Sequence, residues 1–98
     1  MNDLPRLVRV HLLVAGRVQG VGFRRFVVRE ARARSLAGWV RNRDDGAVEL
    51  EVAGAARDVE TLVRSVERGP PGAVVQRIDR LPAGDDHLPT TFAVQHAG

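Results

Sequence analysis

The feature that most constrains this chain is a repeated change in the spacing of its apolar residues. Val8, Val10, Leu12 and Val14 alternate with Arg9, His11, Leu13 and Ala15, the period of two that turns one face of a strand toward a core. The period then lengthens. Phe23, Phe26, Val27, Glu30, Ala31 and Arg34 recur at helical spacing, with the apolar members on one face. Leu36 to Asn42 returns to strand character around the single tryptophan, Trp39, and Val48, Leu50 and Val52 alternate with Glu49 and Glu51 as the clearest strand. Between them, Asp44-Asp45-Gly46 supplies the positive φ values of a tight hairpin. Val59, Leu62, Val63 and Val66 fall at i, i+3, i+4 and i+7 of a second helix, which Gly69-Pro70-Pro71 should stop. Val74 to Leu81 is a less regular fourth strand. Pro82 to Pro89 is polar and turn-like, and Phe92-Ala93-Val94 is the candidate for a short fifth strand.

The order β-α-β-β-α-β predicts an α+β, ferredoxin-like sandwich, two helices on one face of an antiparallel sheet. Many unrelated activities use this arrangement, so it decides no function. At 98 residues the chain should form one domain over 1–98 with its core at about 8–95. The absence of cysteine excludes a disulfide framework, a thiolate nucleophile and a Cys-ligated metal. No apolar run approaches the roughly 18 residues of a membrane span, and Met1 to Arg6 lacks the apolar region of a signal peptide. A cytoplasmic monomer is therefore expected, acting away from membranes. The net charge is +3 and all 15 basic residues are arginine. A general preference for arginine over lysine explains this first; a mild field that draws anionic substrates explains it second.

One stretch carries chemistry. Gly16-Arg17-Val18-Gln19-Gly20-Val21-Gly22 joins a strand to a helix. Glycines let backbone N–H groups turn inward around a guest. The first N–H groups of the following helix are unpaired and sit at its positive end, so together they can cradle a phosphate. Arg24, in the first helical turn, can fold its planar fork over two phosphate oxygens. The spacing G-x-x-x-G-x-G matches neither the dinucleotide fingerprint nor the P-loop. On residue chemistry alone, a glycine-rich connector with solvated arginines is an equally good account. Asn42 is the second candidate. In this fold the first and second strands run parallel without being neighbours, so Asn42 can face the loop after the first strand. Its carboxamide can orient a water but cannot act as a general base. A residue that merely caps the hairpin would look the same.

The residues Val14-Ala15-Gly16-Arg17-Val18-Gln19-Gly20-Val21-Gly22-Phe23-Arg24 resemble the acylphosphatase signature V-x-G-x-V-Q-G-V-x-F-R. Gly38-Trp39-Val40-Arg41-Asn42, followed by Asp45-Gly46-Ala47-Val48-Glu49, resembles the second signature of that family, G-W-V-x-N and D-G-x-V-E. The likeness covers roughly Val8 to Phe92. It implies a hydrolase that splits the carboxyl–phosphate bond of acyl phosphates, with no metal and no cofactor. Arg24 matches the phosphate-binding arginine and Asn42 the water-positioning asparagine. The loop Gly16, Arg17, Val18, Gln19, Gly20 and Val21 matches the backbone phosphate cradle. Small acyl phosphates are then the substrates, and phosphate or other oxyanions the products or inhibitors. Arg34-Ser35-Leu36 departs from the Leu-Gly-Leu often found in the family, which would put Ser35 at a helix end that favours glycine, at a cost of up to about 1 kcal/mol.

Other residues read more plainly. Arg17 and Arg25 are expected as solvated charges beside the cradle, Asp44 and Asp45 as turn residues, and Trp39 as core. His11, His87 and His96 are too scattered for a ligand set and are expected at the surface. RNA-recognition domains of this fold stack bases on aromatics of the central strands. Val8, Val10, Leu12, Val48, Leu50 and Val52 offer none, so no nucleic-acid partner is expected. Similar domains also occur within larger maturation proteins that handle carbamoyl phosphate; a chain of one domain is expected to be a free-standing enzyme.

Overall fold

The structure, a computed structural model, describes residues 6–96. Strand β1 (Leu7–Arg17) leads to helix α1 (Phe23–Ala33), then β2 (Ala37–Asn42), β3 (Val48–Ala55), α2 (Ala56–Arg68), β4 (Val74–Leu81) and the short β5 (Ala93–Val94). The sheet order is β4-β1-β3-β2-β5. The first four strands pair antiparallel, as expected of the ferredoxin-like sandwich. The fifth joins β2 in parallel, Trp39 opposite Ala93 and Val40 opposite Val94, so the whole sheet is mixed.

Alternation decides which side chains meet the helices. Leu12 and Val14 of β1, Val40 of β2 and Val48, Leu50 and Val52 of β3 are all fully buried. Phe23, Val27 and Ala31, one stripe of α1, and Val59, Leu62, Val63 and Val66 of α2 close over them. These residues are the single layer of contact between helices and sheet, and burying each large one is worth about 1.5–3 kcal/mol. Among the described residues no helix is long and apolar enough to cross a membrane.

Helix α1 ends in a Schellman turn. Leu36 N–H donates to the Ala31 carbonyl at 3.0 Å and Ser35 N–H to that of Arg32 at 3.1 Å. Ser35 has φ 55, the one positive φ at a non-glycine residue among those described. The expected misfit at this helix end is therefore present.

The opposite face of the sheet shows where Trp39 is buried and corrects the expectation for His11. Trp39 is 9% exposed, yet it lies on the face away from the helices, in register with Glu51 and, through it, His11. It is buried there against the His11 ring edge, 5.8 Å between centroids, and under the Arg41 guanidinium at 5.6 Å. His11 is not a free surface histidine: its Nε2 lies 2.6 Å from Glu49 Oε2. Val8, Val10, Leu12, Val48, Leu50 and Val52 lie on the helix side, so they are not the residues that would meet bases. The face that could meet bases carries Arg9, His11, Leu13, Glu49 and Glu51 on the two central strands, which offers two carboxylates and no exposed aromatic platform.

The segment between β4 and β5 crosses this polar face. Glu51 Oε2 accepts from Arg9 Nε and from the Gly84 N–H, each at 2.7 Å. Arg9 also donates to the Asp86 carbonyl, and Gly38 N–H to that of Pro89. The crossing returns the chain to the start of β2, so β5 has to run alongside β2 toward the edge where both β1 and β2 finish.

Candidate functional site

At that edge β1 hands the chain to α1. The register against β4 shifts between Ala15 and Gly16. A Cβ on Gly16, at φ 133, would collide with the Val74 carbonyl. Beyond Arg17 the chain leaves the sheet, tucks Val18 into the core and turns through Gly20 and Gly22. Gly22 enters α1 in the left-handed conformation, φ 79 and ψ 21, and makes no side-chain cap.

The start of α1 is chemically open. The first intrahelical bond runs from Phe26 N–H to the Gly22 carbonyl at 3.0 Å, which leaves the earlier N–H groups of the turn without helical partners. No acidic residue lies in that turn to complement the positive end of the helix.

A cleft of about 690 Å³ opens at this point, lined by Val18, Gly20, Arg24 and Asn42 of the residues expected from sequence. Arg24 is half-buried and has no ion-pair partner among the described residues. Asn42 pairs through its backbone with Val48, itself in register with Val14, so it continues the helix-facing row of β2 just past the core. Its carboxamide has no hydrogen-bond partner among the described residues.

The remaining loop residues take other positions. Gly16 and Arg17 belong to β1, and neither they nor Val21 line the cleft. Gln19 sends its amide away from it: Nε2 donates to the Arg43 carbonyl at 2.8 Å and the Ala47 carbonyl at 2.9 Å. This ties the loop to the hairpin that begins directly after Asn42.

The hairpin itself is built as the sequence suggests. Asp45 Oδ1 accepts from Ala47 N–H at 3.1 Å, and both of its oxygens accept from Arg43 Nε. The Arg43 guanidinium, with the Ala47 N–H, holds the Asp45 carboxyl below the usual carboxylate range. On the far face Glu49 gathers Arg41 Nη2 at 2.7 Å, Arg43 Nη1 at 3.3 Å and His11. Burial opposes its ionisation, yet the bonds from Arg41, His11 and Arg43 outweigh it and hold its carboxyl below the ordinary value. The two arginines flanking Asn42 are thereby occupied, whereas Arg24, Arg25 and Arg32, which line the cleft with it, reach no carboxylate among the described residues.

Gly22, Arg25, Val28, Arg32, Val94 and His96 also line the cleft. A signal for part of this set was present in the sequence. Arg24, Val28 and Arg32 fall at i, i+4 and i+8, the stripe beside the buried Phe23, Val27 and Ala31. Val94 and His96 arrive only because β5 runs parallel to β2. Among the described residues, no group of three or more His, Asp or Glu is arranged to hold a metal ion. The cleft can receive a tetrahedral oxyanion on backbone N–H groups and a guanidinium, with a carboxamide free to handle a second small molecule beside it.

Known proteins are similar to this chain in both sequence and architecture. The family model described as Acylphosphatase matches residues 10–94. The acylphosphatase of Chlorobaculum tepidum is 54% identical over 70 residues, covering 71% of this chain and 76% of that one. The crystal structure of acylphosphatase from Bacillus subtilis superposes with a TM-score of 0.83 at 40% identity, over 92% of this chain and 99% of that one. The T. kodakarensis HypF structure matches 88% of this chain at 33% identity and a TM-score of 0.77, but the match takes up only 11% of HypF.

Proposed function

The chain belongs to the acylphosphatase family, and from that premise we propose a metal-independent hydrolysis carried by Arg24, Asn42 and the loop from Gly16 to Val21. The loop amides and the open start of α1 hold the phosphate group of an acyl phosphate, and Arg24 closes over two of its oxygens. Asn42 holds a water in line with the bond to the carboxylate. The water oxygen bonds to phosphorus, the P–O bond to the acyl group breaks, and the carboxylate leaves with the electron pair. A phosphate oxygen takes the water proton, so no enzyme base is needed. Because the leaving group is good, positioning and charge stabilisation supply most of the acceleration.

One observation carries this reading. Arg24 and Asn42 come from different elements, line one cleft, and both lack a partner among the described residues. Both are half-buried and open to the cleft, so their donors and acceptors are available to a ligand without first breaking a bond inside the protein. The same reading has the chain act as a cytoplasmic monomer on small acyl phosphates, with inorganic phosphate as product and competitor.

The test is hydrolysis of benzoyl phosphate in EDTA by the wild type, Arg24→Ala and Asn42→Ala. Fast turnover by the wild type is expected, with losses of at least about 10²–10³ in each variant, the typical consequence of removing one preorganised donor. Arg24→Lys should fail as well, since a point charge cannot reproduce the fork. Turnover that needs a divalent metal, or near-normal turnover in Arg24→Lys, would disprove the mechanism. An essential enzyme base in the pH–rate profile would disprove the proton transfer to phosphate.

A further inference from the structure

The cleft is larger than a phosphate needs. Its volume of about 690 Å³ lies in the range that encloses a whole small ligand. Its lining changes along α1. Gly20, Gly22, Arg24 and Asn42 form one end, Val28 and Val94 the middle, and Arg32 the other end. Arg24 and Arg32 stand two turns apart on one stripe, about 12 Å along the helix axis at 1.5 Å per residue.

Arg32 is fixed but not neutralised. Its Nε donates to the Phe92 carbonyl at 2.9 Å, which anchors the guanidinium beside the strand opposite. Both Nη groups remain without a carboxylate among the described residues, whereas Arg34 in the next positions is paired with Glu30. No acidic residue lines any part of the cleft. A second anion-binding point therefore faces the first across a short apolar stretch.

Resting on the phosphate site described above, we propose that Arg32 selects the acyl half of the substrate, favouring acyl phosphates that carry a second negative charge at the far end of a short chain. A four-carbon dicarboxylic monophosphate spans about 6–7 Å from phosphorus to the distal carboxylate at standard bond lengths. The Arg32 side chain leans toward the start of α1, as helical side chains do. With the phosphate at Arg24, the reach of the guanidinium and of its hydrogen bond makes up the remaining distance. The distal carboxylate then meets the Nη groups of Arg32, while the methylenes lie on Val28 and Val94. A neutral acyl group of similar length leaves Arg32 without a partner.

The experiment compares succinyl phosphate with benzoyl phosphate as the ratio of their kcat/KM values. In Arg32→Gln the ratio should fall three- to tenfold relative to the wild type, as for loss of one partly exposed charge-assisted bond. Arg32→Lys keeps the charge but loses the Nε bond to Phe92, and should retain most of the ratio. Raising the salt concentration should lower the wild-type ratio and leave that of Arg32→Gln flat. An unchanged ratio in Arg32→Gln overturns the proposal. So does an equal fall in Arg32→Lys, since the tie to Phe92 would then be what matters. Failure of the wild type on both substrates would instead overturn the phosphate site itself.

Discussion

Two regions of this molecule are rich in arginine, and they are built in opposite ways. On the open face of the sheet, Arg9, Arg41 and Arg43 each reach a carboxylate of β3, Glu51 or Glu49. In the cleft beside α1, Arg24, Arg25 and Arg32 reach none among the described residues. A net charge of +3 says nothing of this division. The number of arginines therefore does not locate available positive charge; their carboxylate partners decide it. The same contrast separates the two helices. α2 carries Asp58 in its first turn, and its Ala56 N–H donates to the Arg6 carbonyl at 2.8 Å. The start of α1 has no carboxylate in its first turn.

The most disruptive way to break the comparison is to give the cleft a carboxylate. Gly22→Asp places an anion at the open start of α1, where it competes with phosphate for the same N–H groups and for Arg24. Acyl phosphate turnover should drop by at least about 10²-fold, while the left-handed backbone of Gly22, φ 79, costs the variant about 1–2 kcal/mol of stability, as read by kinetics and urea unfolding on one preparation. An active Gly22→Asp protein would mean that the helix start does not hold the phosphate.

Removing a carboxylate from the other region should act on stability first. Glu49→Gln leaves Arg41, Arg43 and His11 without their common acceptor charge, at a cost of about 1–3 kcal/mol at neutral pH. The pH dependence follows from the direction of the shift. A carboxyl held below its ordinary value stabilises the fold fully above that value, and loses this contribution as pH falls through the folded one. The wild type should therefore lose stability on acidification below about pH 4.3, and Glu49→Gln should show a shallower loss. Parallel acid limbs for the two proteins would show that Glu49 is not held as described.

A smaller change sharpens the comparison by separating stability from activity. Ser35→Gly at the end of α1 relieves a φ of 55 and should add about 0.5–1 kcal/mol, with kcat/KM on benzoyl phosphate unaltered. Asp58→Asn should have the smallest effect, a loss of about 0.3–1 kcal/mol from the first turn of α2 and none in turnover. If Asp58→Asn slowed turnover, the two helix starts would not be functionally distinct.

Much of this was legible in advance for reasons local to the chain. Alternation along Val8 to Val14 and Val48 to Val52, and the helical stripe from Val59 to Val66, assign elements because burial has the same period as the backbone. Asp45-Gly46 and Gly69 mark ends because few residues other than glycine sit easily at positive φ. On residue chemistry alone Arg24 and Asn42 stayed open, the one between cradle and solvated connector, the other between water holder and hairpin cap; expected roles came only with the resemblance to the two signatures. Trp39 shows the limit of such reading: its apolar bulk implied burial but did not say on which face of the sheet.

The sequence by itself determined the elements, their order, the hairpin, the strained end of α1 and the placing of Arg24 directly after a glycine-rich loop. Those features depend on periodicity and backbone preference, which act over a few residues. Only the tertiary structure decided the direction of β5, which follows from the crossing of the polar face by residues 82–91 and brings Val94 and His96 to the cleft. It also decided which arginines are answered by a carboxylate. That depends on register between strands distant in the chain, where Glu49 of β3 meets Arg41 of β2 and His11 of β1, and no local pattern records such a meeting.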